Sequence, residues 1–201
     1  MAGYDYDEED WDDESPDLDE FPTLVSVARF NKLLVSVPWF SAVGTPLGAD
    51  VYDAANEYID LMGFTGSYVA PVESWEDAAY AAQSPDLNSM WWEAEEQMRA
   101  GLTMEALELI PEADLTMALT HIASTASPLI EEAIEDMAEE AGIVDAELIR
   151  AAMGSALQAC HQAALVLASG QEDTHPFALK YKLFEKGHWP IAISGNSFNI
   201  F

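Results

Sequence analysis

Positive charge is nearly missing from this 201-residue chain: seven Lys and Arg stand against 37 Asp and Glu, for a formal net charge of -30. That balance excludes nucleic-acid binding through a basic face and works against attraction to anionic lipid. Partners are expected to be cationic, with a basic protein first among them. Cysteine is reduced to Cys160, which excludes an intrachain disulfide framework and every multi-cysteine zinc pattern. A lone thiol suits a reducing compartment, so a cytoplasmic location is expected. No apolar run approaches the roughly 18 residues of a membrane span, and the acidic N-terminus lacks the positive charge and apolar stretch of a signal peptide.

Catalytic signatures are also scarce. There is no glycine-rich phosphate loop, no Gly-x-Ser-x-Gly elbow and no Glu-x-x-His pair on two helices. Cys160 and His161 are neighbours on a helix and point about 100° apart, so they do not present nucleophile and base to one substrate. Cys160 reads as a small core residue, and His121 and His161 as partly buried histidines rather than ligands. No catalytic residue, metal or cofactor is assigned, and the balance leans away from an enzyme.

What is present is helix-forming. Half of the residues are apolar, enough for one domain with a core. Stripes at helical spacing run through Leu47, Val51, Ala55, Tyr58 and Met62; through Leu87, Met90, Trp91, Ala94 and Met98; through Leu115 to Met137; and through Ile149 to Leu167. Thr45-Pro46, Ser84-Pro85 and Ser127-Pro128 read as helix starts, because a hydroxyl caps an orphan N-H and proline suits the first helical position. Across Pro128 the stripe keeps phase, so that segment is one kinked helix or two collinear ones. Ser74 and Asp145 read as further N-caps. Gly63, Gly101, Gly142, Gly170 and Gly187 read as C-terminal caps. Of Trp91 and Trp92, one ring is expected in the core and the other exposed. The fold class is therefore mainly α: a single-domain helical bundle of about six to eight helices closed by a C-terminal β-hairpin.

The hairpin is signalled by Gly195-Asn196 between two apolar-polar alternations. This register pairs Ser194 with Ser197, Ile193 with Phe198, Ala192 with Asn199 and Ile191 with Ile200. Its apolar face must lie on the helices, since an isolated ribbon is marginal in water. Residues 1–20 hold 11 acidic residues and no basic one, the composition of a disordered acidic tail. Residues 21–201 form the helical domain, with 189–201 as the hairpin.

Three of the four lysines, Lys180, Lys182 and Lys186, fall on one short segment that ends at His188. With Trp11 of the tail these are the candidate binding residues. Lys180, Lys182 and Lys186 either neutralise carboxylates of the domain itself, the favoured reading, or receive an anion or the acidic tail. Glu131, Glu132, Glu135, Glu139 and Glu140 form a column on one helix that reads as a solvated face. The function expected is a non-enzymatic acidic binding or inhibitor-type protein. The alternatives are an enzyme with a cleft between helices and hairpin, nucleic-acid mimicry by rows of carboxylates, and acidity as salt adaptation alone.

Overall fold

Helix starts follow side-chain chemistry where a short polar residue precedes an apolar stripe. The Ser74 hydroxyl accepts from the Asp77 N-H, and the Asp145 carboxylate accepts from the N-H groups of Glu147 and Leu148; each satisfies orphan donors of a first turn. The computed structural model describes residues 21–83 and 89–201. Along them run α1 (Pro22–Leu33), a short 3-10 turn (Leu34–Ser36), α2 (Ala49–Leu61), β1 (Tyr68–Pro71), α3 (Trp75–Ala82), α4 (Ser89–Leu109), α5 (Glu112–Ala141), α6 (Ala146–Ala168), α7 (Pro176–Glu185), β2 (Pro190–Ser194) and β3 (Ser197–Ile200). The expected acidic tail and the Ser84-Pro85 start lie outside the described residues.

The mainly helical architecture and its closing hairpin are as the sequence implied. Apolar burial organises both, because every helix contributes a face to one core. The alanine-rich α6 supplies its centre, with Ala152, Ala156, Ala159 and Ala164 fully buried. Small side chains let neighbouring helices approach it closely. Among the described residues no helix is long and apolar enough to cross a membrane.

Two local expectations need correction, the Thr45-Pro46 start and the Gly101 stop, and of the two readings left open at Pro128 the single helix holds. Thr45-Pro46 does not open α2, which begins at Ala49 behind Gly48. Ser127-Pro128 lies inside the 30-residue α5; the helix continues because Pro128 forfeits one backbone bond while the turns on both sides keep their buried faces. Gly101 stops nothing and sits exposed within α4. By contrast, Gly63, Gly142, Gly170 and Gly187 all take positive φ.

The hairpin pairs Ser194 with Ser197, Ile193 with Phe198 and Ala192 with Asn199, and then departs from the expected register. An irregularity between Pro190 and Ala192 sets Pro190, not Ile191, against Ile200. Pro190 has no N-H to give to a ladder, which is tolerated because it is the first residue of an edge strand and sits at this break. The sequence reading also missed a third strand. β1 runs parallel to β3, giving the order β1-β3-β2. The Gly195 turn has φ +57°, and Phe198 packs its fully buried ring 5.0 Å from that of Tyr58.

Candidate functional site

The lysines of α7 do not act as one cluster. At 100° per residue Lys180 points to the side of the helix opposite Lys182 and Lys186. Lys182 is 3.7 Å from the Asp173 carboxylate and Lys186 is 2.6 Å from that of Asp50, both pairs reaching solvent. The carboxyl of Asp50 is held below its ordinary range, first by the hydrogen bond from Lys186 and then by its charge. Lys180 is buried, and its ammonium donates to Glu95 at 2.7 Å. Each lysine thus has a carboxylate of the domain beside it.

Glu95 is the centre of a polar cluster in the core. Its side chain is 0% exposed and that of Lys180 3%. The same Glu95 Oε1 accepts from the Tyr58 hydroxyl at 2.7 Å, and the Trp91 Nε1-H donates to Tyr58 Oη at 2.6 Å. The Lys180 ammonium also lies 5.2 Å from the centre of the Trp91 ring, within cation-π range. Burial, followed by the Glu95 charge, pushes the Tyr58 hydroxyl well above its ordinary pKa and keeps it a donor. The cluster ties α2, α4 and α7 together at one point.

Trp91 and Lys180 also line a cavity of about 440 Å³ together with Trp92 and Trp189. Trp91 is 7% exposed and Trp92 51%, the division expected of neighbouring rings on one helix. His188 is buried, and burial first of all lowers its pKa. His175 caps α7, its Nδ1 accepting from the Phe177 N-H at 3.1 Å, which requires that nitrogen to be unprotonated. Trp11 lies outside the described residues.

The polar hairpin residues Ser194, Ser197 and Asn199 line a different cavity, of about 390 Å³, with Glu73, Asp77 and Tyr80. His175, Lys186 and His188 are not among the residues lining that cavity. Cys160 is a core residue whose thiol is pushed up to about 12 by burial.

The remaining charge lies on the surface. Among the described residues Glu95 is the one buried carboxylate, while Glu131, Glu132, Glu135, Asp136, Glu139 and Glu140 of α5 are all exposed and have no basic partner. On the N-terminal half of the same helix, Asp114, Met117, Ala118 and His121 face α1 across a groove of about 320 Å³. The sequence stripes could not show this groove, because it forms between two helices distant in the chain. No family model, curated protein or solved structure matches the chain.

Proposed function

We propose that this is a non-enzymatic binding protein whose acidic surface, foremost the C-terminal half of α5, engages a basic protein partner. The observation carrying this reading is an electrostatic cost left uncompensated within the chain. Glu131 and Glu135, Glu132 and Asp136, Glu135 and Glu139, and Asp136 and Glu140 are like-charge neighbours at i, i+4. Each such pair costs about 0.2–0.5 kcal/mol. All six carboxylates also lie toward the negative end of the helix dipole, which adds to the penalty near the C-terminus. A cationic surface docked there relieves both terms, and the field of the molecule accelerates its approach. Octalysine titrated at rising salt tests the reading: affinity at about 20 mM salt that falls steeply toward 0.5 M supports it, and no binding at low salt overturns it.

A second reading has its own observation. Exposed carboxylates also occupy α2, α3 and α4, among them Asp53, Glu57, Asp60, Glu76, Glu93 and Glu108. An acidic surface this widespread serves solubility or life in high salt without any partner. Stability against salt separates the two, since a chain needing molar salt to fold fits the second.

A further inference from the structure

The longest acid-free stretch of the chain, Phe21 to Ala49, holds Arg29 and Lys32 one turn apart on α1. Both are exposed, and among the described residues neither forms an ion pair. Beside them α1, α6 and α7 enclose a groove of about 410 Å³. Phe30, Leu33, Leu167 and Tyr181 give it apolar walls, and Leu33 is 59% exposed. Arg29 comes to it from α1 and Lys182 from α7. Its acids are Asp173, which lies 3.7 Å from Lys182 and is open to water, and Glu185. Together with Lys32, next in the chain to Leu33, the cations outnumber those two acids and leave this face positive in a chain at -30.

We propose that the acidic segment 1–20 of the same chain docks on this face, with the Trp11 ring on the apolar walls and its neighbouring carboxylates on Arg29 and Lys32. Three observations select this occupant. The segment joins the chain at Phe21, the residue before α1, so it is tethered beside the groove. Ten extended residues span about 33 Å, whereas Phe21 to Leu33 along the helix is about 18 Å, so Trp11 reaches every part of the groove. Its charge is also complementary, with 11 acids and no base set against a helix that carries two bases and no acid. Trp11, flanked by Asp10, Asp12 and Asp13, offers the two features this face accepts, an apolar ring and carboxylates on either side. The negative field of the other helices opposes the approach, and the tether offsets it by holding the carboxylates at high local concentration. Docking closes the cationic face to anionic ligands and leaves the acidic helix α5 open to basic ones.

Carbodiimide coupling joins a carboxylate directly to a lysine amine in contact with it, so peptide mass spectrometry of the coupled full chain reads the docking at Lys32. Lys186, 2.6 Å from Asp50, is the internal control. The expected result is a link from Lys32 to Asp10, Asp12 or Asp13 at about 20 mM salt that disappears toward about 0.5 M. Mixing isotope-labelled with unlabelled chain shows whether the link forms within one molecule, as expected, or between two. Trp11→Ala and Leu33→Ser change no charge, and each should lower the Lys32 link about tenfold while the link from Lys186 to Asp50 stays level. A tether acting without the groove would keep the link at parent yield in both variants, and that result overturns the proposal. Absence of the link at low salt overturns it too, as does a link formed only between molecules, which would make this face a contact between copies of the chain.

Discussion

Lys180 of α7 and Glu95 of α4 form an ion pair at 2.7 Å across 85 positions of sequence, with both side chains out of water. Breaking such a pair from one side strands a buried charge. Lys180→Met is expected to destabilise the fold by about 3–5 kcal/mol, and adding Glu95→Gln, which removes the stranded charge while its amide oxygen still accepts from the Tyr58 hydroxyl, should recover part of that loss. Urea unfolding of the parent, single and double variants measures it. A single variant with the parent's midpoint would remove the pair from the account of stability.

The hairpin closes the bundle through Phe198, which is fully buried against Tyr58. Phe198→Ala should cost about 3–5 kcal/mol in transfer and cavity terms. Gly195, at φ +57°, should resist Val, because a β-branched residue is strained there. Parent-like thermal melting of both variants would mean that the hairpin contributes nothing to the fold.

Burial holds the pKa values of His161, His175 and His188 below the ordinary 6.5. The unfolded chain then takes up protons before the folded one as pH falls, so this stabilisation is complete above about pH 6.5 and is lost through the window below it. Carboxylates ordinarily titrate near pH 4, beneath that window; Glu185, raised by burial, takes up its proton in the folded chain first and opposes the histidines in part. Melting at about pH 5.5 is expected below melting at pH 8. His175→Asn keeps a cap acceptor for the Phe177 N-H without titrating, and should narrow the gap. Equal melting temperatures for the parent at both pH values would contradict this.

Pro128 sits exposed in the interior of α5. Replacing it with Ala restores a backbone donor and removes a clash with the preceding turn, a change worth up to about 3 kcal/mol. Chemical denaturation should show Pro128→Ala more stable than the parent. A destabilised variant would show that the α5 packing depends on Pro128 itself.

Local devices were legible in the sequence because their chemistry is local. Ser74 and Asp145 cap, Gly195-Asn196 turns, and Trp91 and Trp92 divide between core and solvent as single-residue reasoning implies. β1 escaped because Tyr68–Pro71 is four residues long, half-covered, and gains its identity only from parallel pairing with β3. Lys180 was visible as charge but not as a buried charge, since the burial comes from Glu95, Tyr58 and Trp91 on other helices. The carboxylate column of α5 was plain in the sequence, whereas the groove on the same helix required α1 and α5 to be brought together.

The central claim is that charge position, not charge total, makes α5 a binding face. Glu132→Gln, Glu135→Gln and Glu139→Gln together remove three carboxylates from α5, while Asp53→Asn, Glu57→Gln and Asp60→Asn remove three from α2, leaving the two variants with the same net charge. Octalysine affinity is compared for both at about 20 mM salt. The account expects a large loss for the α5 variant, with a shallower salt dependence, and near-parent binding for the α2 variant. Equal losses in the two would contradict it.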